Sequence, residues 1–286
     1  MSYSDERLKQ SELNILDTFI KICEENSLRY FLAGGTAIGA IRHNGFIPWD
    51  DDIDVAMPRT DYDKFISISK DVLPDNLFLQ NHNSDPEYHQ GFSKLRNSKT
   101  TYIETPSRFL EINHGIFIDI FPIDGVPENP LMKELLFTRS KIVKVLLCRN
   151  DLSYFHGKRK LIAKLICTLV REKNTSKILN NFETLVKKYD YDSSKITICY
   201  FGSYGRNEYV ERAVYGGGHI SYFEGRKIKV PKMYDIYLSM KYGDYMKLPP
   251  EEERIGHHNA EVIDIDLPYT SFKDKYGRKL LEKESN

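Results

Sequence analysis

With 41 basic and 41 acidic side chains in 286 residues, the chain has no net field to draw it to nucleic acid, and any charge logic must be local. Its 41% hydrophobic and 29% charged content excludes a disordered chain and leaves room for a sizeable core. The polar start MSYSDERLKQSELN excludes a signal-peptide core, and no run reaches the roughly 18 apolar residues of a membrane span, so a cytoplasmic protein is expected.

Residues 4–26 place Leu13, Leu16, Ile20 and Cys23 on one face at helical spacing, which predicts an amphipathic helix. A short strand, RYFLA, follows. GGTAIGAIRHNG then offers two glycines and a threonine opening a short helix that stops near Gly45. FIPWDDDIDVAMP, residues 46–58, reads as a buried strand, and RTDYDKFISISKDVL as a helix. Strands are predicted at NLFLQN, GFSKLRN, TTYIET and GIFIDIFPID, the last from its alternating, β-branched pattern. From Val126 the pattern turns helical, in PLMKELLFTRSKIVKVLLC, KRKLIAKLICTLVREK and TSKILNNFETLVKKY. Short tyrosine- and glycine-rich elements form the tail. The expected organisation is an α/β (α+β) chain, with a mixed-sheet core over 1–125, a helical insertion over 126–195 and a C-terminal region over 196–286 that completes or covers the site in one integrated domain. Cys23, Cys148, Cys167 and Cys199 are scattered among apolar neighbours with no CxxC, which predicts reduced, buried thiols and no zinc or disulfide framework.

Four aspartates crowd into positions 50 to 54. In a strand, alternation turns Asp50, Asp52 and Asp54 one way and Asp51, Ile53 and Val55 the other. Asp52 and Asp54 then lie roughly 7 Å apart at Cα, close enough for both carboxylates to bend onto one cation. Hard oxygen ligands of this kind suit Mg2+ (or Mn2+), which binds through one or two carboxylates plus substrate phosphates and waters. A surface turn is the plain alternative, and the apolar frame of Phe46, Ile47, Trp49, Ile53, Val55 and Met57 argues against it. An EF-hand loop fails, because Val55 stands where glycine belongs and Asp61 where glutamate does.

Phosphate donors are expected nearby. Gly34, Gly35 and Thr36 let backbone amides approach an anion at a helix start. Arg42 and His43 close that helix as either phosphate contacts or ordinary C-terminal helix charges. Asp119, a lone acid in an apolar strand, needs a metal or partner to offset its charge. Asp124 reads as structural. Lys94 and Arg96 share one strand face and are read as a phosphate clamp, against a solvated edge strand.

Taken together, FLAGGTAIGAIRHNGFIPWDDDIDVAMPR, FSKLRN, GIFIDIFPIDGVP and FEGRKIKVPKMYDIYLSMKYGDYMKLPPEEER resemble the LicD family, related to fukutin and fukutin-related protein. The resemblance implies a nucleotidyltransferase-like fold and a metal-dependent transferase. Such an enzyme takes a phospho-alcohol group, such as phosphocholine, from a CDP-alcohol donor and gives it to a sugar hydroxyl of a glycan or lipid-linked glycan acceptor. Carried over, Gly34, Gly35 and Thr36 match the GG-T element, Asp52 and Asp54 the metal-binding acids with Asp50 in the same row, and Asp119 the further acid, as metal ligand or general base. The zinc-binding cysteines of the animal relatives have no counterpart. A nucleotidyltransferase acting on a triphosphate, and a non-catalytic glycan- or nucleotide-binding module, are the alternative readings.

Arg139 to Lys173 holds ten basic residues against Asp151 and Glu172, a surplus of eight. Core-packed helices with solvated lysines explain this plainly; a surface that meets the anionic inner face of the membrane or a lipid-linked acceptor is the functional alternative. YFEGRKIKVP offers Glu224 and Arg226 as further candidates, and His257 and His258 read as surface or acceptor-side residues. Trp49 or nearby tyrosines are candidates to hold a quaternary ammonium by cation–π contact.

Overall fold

The computed structural model describes residues 3–272 apart from 109, 150, 151, 153, 154, 172–174, 255 and 257–259. Helix α1 (Tyr3–Glu25) buries Leu16, Phe19 and Cys23 on the face that its apolar spacing predicts. β1 (Phe31–Leu32) follows, then α2 (Gly34–Ile38), continued by a π-helical turn over Gly39–His43 that Asn44 ends in the left-handed region at φ 55°. β2 (Asp54–Pro58) leads directly into α3 (Arg59–Val72). β3 (Leu77–Gln80), β4 (Ser93–Asn97), β5 (Thr101–Glu104) and β6 (Ile116–Gly125) follow in turn.

The main sheet has the order β1-β2-β6-β4-β3. β2 and β6 run parallel, whereas β1 with β2, β6 with β4 and β4 with β3 run antiparallel. As the central strand, β6 is buried along nearly its whole length, which explains its run of isoleucine and phenylalanine. α1 and α3 both pack on it, and Phe19 of α1 meets Phe65 of α3 edge to face with ring centroids 5.2 Å apart.

After β6 come α4 (Pro130–Leu147), α5 (Gly157–Leu169) and α6 (Thr175–Val186). Leu136, Phe137, Val143, Leu179 and Phe182 of α4 and α6 form an apolar cluster apart from the main core. The chain re-enters the sheet at β7 (Ile196–Ile198), which pairs with the end of β6, and β8 (Tyr209–Glu211) pairs with β7. A helical turn α7 (Arg212–Tyr215), the hairpin β9 (His219–Phe223) and β10 (Arg226–Val230), and α8 (Tyr234–Tyr242) follow. β11 (Ala260–Asp264) lies on β5, and α9 (Tyr269–Phe272) follows it. This is a mixed α+β architecture of the nucleotidyltransferase-like kind, with helices on a curled sheet.

Two expectations are corrected here. The acid-rich segment is a strand only from Asp54 onward: Pro48 lacks an N–H, and Asp50 N–H donates back to the Ile47 carbonyl at 2.9 Å, so the chain turns there and Asp50 to Asp52 precede the sheet. All four cysteines are free thiols, but only Cys23 and Cys199 are buried; Cys148 and Cys167 are half-buried.

At the start of α3, Arg59 donates through Nε and Nη2 to both oxygens of Asp124 on β6, at 2.7 and 3.0 Å, with both residues almost fully buried. Removing one partner of such a pair strands the other charge in the core. Asp124→Ala is expected to lower unfolding stability by about 3 kcal/mol in a urea titration, and Arg59→Met with Asp124→Leu should recover most of that loss.

Candidate active site

The sheet register sets the centre of the site. Asp54 on β2 lies opposite Asp119 on β6, and Asp119 lies opposite Lys94 on β4. The Asp54 backbone is pinned from both sides: its N–H donates to the Thr36 hydroxyl at 2.8 Å and its carbonyl accepts from Ala33 N–H at 2.9 Å. Thr36 is itself buried, so its side chain fixes the acid and does not reach for phosphate.

Asp50, Asp52, Asp54 and Asp119 line one cavity of about 870 Å3, together with Gly35, Arg42 and Trp49. Asp51 does not line it, as alternation had separated it from its neighbours. Yet Asp50, Asp51 and Asp52 each offer a carboxylate oxygen within 4.8 Å of the others, so the turn brings Asp51 into the acidic cluster that a regular strand would have kept it from. The acids thus form a loop group at 50 to 52 and a strand pair, Asp54 with Asp119.

The paired glycines serve these acids. Gly34 has φ +55°, and a Cβ there would stand 2.6 Å from Asp54 Oδ2; a Cβ on Gly35 would stand 2.7 Å from Asp50 Oδ2. Carboxylates occupy the space that side chains at these two positions would fill. The donor set lining the cavity contains carboxylate oxygens and neither histidine nor cysteine among the described residues, which fits a hard divalent cation.

The basic candidates divide. Arg42 lines the cavity, but its Nη1 donates to the carbonyls of Tyr245 and Lys247, so it also fastens the wall contributed by residues 244–250. His43 lies beside Arg42, and burial, then the neighbouring guanidinium, hold its imidazole below the usual value. Lys94 is buried, its ammonium 2.9 Å from Asp119 Oδ1 and 3.3 Å from Glu104 Oε1. Arg96 is fully buried and donates to Gln80, to the Gly115 carbonyl and to Glu104. Arg96 thus stands on an interior strand rather than a solvated edge, with its guanidinium bonded within the fold at the floor of a neighbouring cavity.

Lys94 joins the acid-lined cavity to a second one of about 490 Å3, which Lys94, Glu104, Tyr88 and Lys144 line. The two share Phe92, Phe201 and Ser203. Sequence reasoning missed this second cavity, since α4 and the residues after β7 meet there only in three dimensions. It also missed Tyr204 and Tyr242, which line the first cavity with their hydroxyls hydrogen-bonded to each other; burial pushes the Tyr204 phenol up to about 12. The Arg254 guanidinium already sits 5.6 Å from the centre of the Trp49 ring, so Trp49 has a resident cation. Glu224 and Arg226 are fold contacts: Glu224 accepts from Phe46 N–H at 3.1 Å, and Arg226 clasps Asp17 on α1 at 2.6 and 2.9 Å. His257 and His258 lie outside the described residues.

A glycine-opened helix ahead of a strand that begins with an acid, and a second acid in register on the parallel neighbour, lie in a mixed α+β sheet of the nucleotidyltransferase-like kind. The family described as LicD/FKTN/FKRP, nucleotidyltransferase domain, matches residues 27–145. The chain is 33% identical over 255 residues to the lipopolysaccharide cholinephosphotransferase LicD of Haemophilus influenzae, a match covering 87% of this chain and 94% of that protein. Shorter matches are an uncharacterized protein of Rickettsia prowazekii, 29% identical over 70 residues (21% of this chain, 26% of that one), and one of Rickettsia typhi, 39% identical over 41 residues (14% and 13%). The chain belongs to the LicD family.

One more acid stands behind the cluster. Glu12 of α1 is buried, and burial first, then Asp52 and Asp51, raise its carboxyl well above the ordinary 4.5. The folded state therefore holds this proton at pH values where the unfolded chain has released it, so the residue costs stability as pH rises above 4.5. Glu12→Gln is expected to raise the melting temperature at neutral pH, with the gain shrinking to nothing below pH 4.5 in thermal melts across a pH series.

Proposed function

We propose that the chain transfers a phospho-alcohol group, phosphocholine in the first instance, from a CDP-linked donor to a sugar hydroxyl of a surface glycan or its lipid-linked precursor, releasing CMP. The observation that carries this reading is the convergence of Asp50, Asp52, Asp54 and Asp119 on one cavity, in a chain that matches a lipopolysaccharide cholinephosphotransferase along most of both lengths.

Asp52 and Asp54, supported by Asp50 and with Asp51 in reach, are the residues to hold Mg2+ or Mn2+. A cation bound there would offset the charge of the donor pyrophosphate and of the departing CMP. The protein's own groups supply the rest. Thr36 and Ala33 hold Asp54 in place through its backbone, which limits the reorganisation needed when substrate enters. Arg42 adds positive charge to the wall. Phe92, Phe121, Phe201, Tyr204 and Tyr242 supply aromatic faces for an alkylammonium head.

The second cavity is assigned to the acceptor sugar. Its aromatic rings suit the apolar face of a sugar, while Glu104, Lys144 and Ser107 suit its hydroxyls. The acceptor oxygen attacks the alcohol-bearing phosphorus. A new P–O bond forms to the sugar, the bond from that phosphorus to the bridging oxygen breaks, and CMP leaves with the electron pair. Asp119 lines the donor cavity and is joined by the Lys94 ammonium to Glu104 in the acceptor cavity, and it is assigned as a further metal ligand or as the general base that takes the hydroxyl proton.

The test offers purified protein a panel of CDP-alcohols and nucleoside triphosphates with Mg2+ and measures CMP against pyrophosphate. CMP release with CDP-choline is expected, and Asp52→Asn or Asp54→Asn should lower it at least about a hundredfold while circular dichroism stays unchanged. Pyrophosphate from a triphosphate, with no CMP from any CDP-alcohol, would replace this reading with nucleotidyl transfer.

A further inference from the structure

Helix α5 is built the wrong way round for a helix that merely packs on a protein. Ala163 is its one buried residue. Leu161, Ile162, Leu165 and Leu169 stand 58 to 75% exposed. At 3.6 residues per turn these four fall within an arc of about 100°. Ala163 and the half-buried Cys167 lie on the opposite side, toward α4, where the Cys167 thiol reaches the Val145 carbonyl.

Charge frames that apolar arc. Arg159 lies just beyond one edge and Lys164 just before the other, both exposed, and Lys158 is exposed in the first turn. Within Gly157–Leu169 there is no acidic residue against Lys158, Arg159, Lys160 and Lys164. An apolar face bordered by cations with long aliphatic stems is the pattern of a helix that lies in a bilayer interface, leucines toward the acyl chains and ammonium groups at the phosphates. Neighbouring α4 exposes Leu131, Leu135 and Ile142, which fall on one face of that helix. No helix among the described residues is long and apolar enough to cross a membrane.

We propose that α5 docks flat on an anionic lipid surface and seats the protein there. Charge complementarity selects this occupant: a second copy of the chain would set the same four cations against each other, whereas phosphate headgroups neutralise them. The docking does not depend on which reaction the acid-lined cavity performs. If that reaction uses a lipid-linked acceptor, the consequence is that the acceptor cavity sits near the surface carrying it, since α4 both packs on α5 and lines the cavity through Lys144 and Leu147.

The experiment sediments the full chain with vesicles of phosphatidylglycerol mixed with phosphatidylcholine, and with vesicles of phosphatidylcholine alone. Retention on the anionic vesicles, weakened by salt and absent on the neutral ones, is expected. Leu161→Gln with Leu165→Gln should weaken binding roughly tenfold or more, and Lys164→Gln about fivefold. Both leucines are exposed, so the double variant should keep the wild-type melting temperature, and its CMP release with a water-soluble sugar acceptor should be unchanged. Failure of the wild type to bind anionic vesicles, or equal retention of the double variant, overturns the proposal. A dimer seen by light scattering that the double variant dissolves also overturns it, assigning the face to a second copy. Vesicle binding without CMP release from any CDP-alcohol would leave the docking standing and remove the proposed reaction.

Discussion

Adjacent parallel strands set Asp54 beside Asp119, and the negative charge gathered there has to be compensated. On one side Lys94 does so directly, as the registered neighbour on β4. On the other, β2 follows a loop bearing three more carboxylates, and Asp50 and Asp52 of that loop line the same cavity as Asp54 and Asp119. That arrangement organises the site, because an acid-lined cavity offers a ready field to a cation or to a substrate's positive end.

Much of the fold surrounds this row to keep it rigid. α2 is too short to stand alone, yet its Thr36 clamps the first residue of β2, and its glycines give up their side chains so that Asp54 and Asp50 fit close. The buried Arg59 and Asp124 pair fixes the far end of β6, so the strand that carries Asp119 is anchored at both the site and its exit. Tertiary contacts from a distant part of the chain complete the work: Glu224, at the hairpin turn, satisfies the Phe46 N–H just ahead of the acidic loop.

The strands and helices of the first 125 residues were legible because alternation and 3.6-residue spacing are strong there; β3, β4 and β5 fall inside the segments read from them, and β6 runs one residue past its own. What failed was whatever depends on which strand lies next to which. Lys94 and Arg96 do share a face, but only the interior position of β4 shows that both are buried and ion-paired to Glu104 where that face meets the second cavity. The aspartates were misread as strand because a proline and one backwards hydrogen bond outweigh a period-two pattern. Glu12 had a visible signal, since it falls on the apolar stripe of α1 with Leu8, Ile15, Leu16 and Phe19 at helical spacing, where a charge is out of place. The second cavity had none, being assembled from three segments spread over more than a hundred residues.

The acids come from one short continuous stretch plus β6, whereas the facing wall comes from residues 244–250, held on by the Arg42 guanidinium through two backbone carbonyls. Backbone carbonyls belong to every residue type, so that fastening is indifferent to the side chains the wall carries. The two halves of the cavity are therefore free to diverge at different rates. A lineage can recast the wall, and with it the size and polarity of the group admitted, while the acidic row stays as it is.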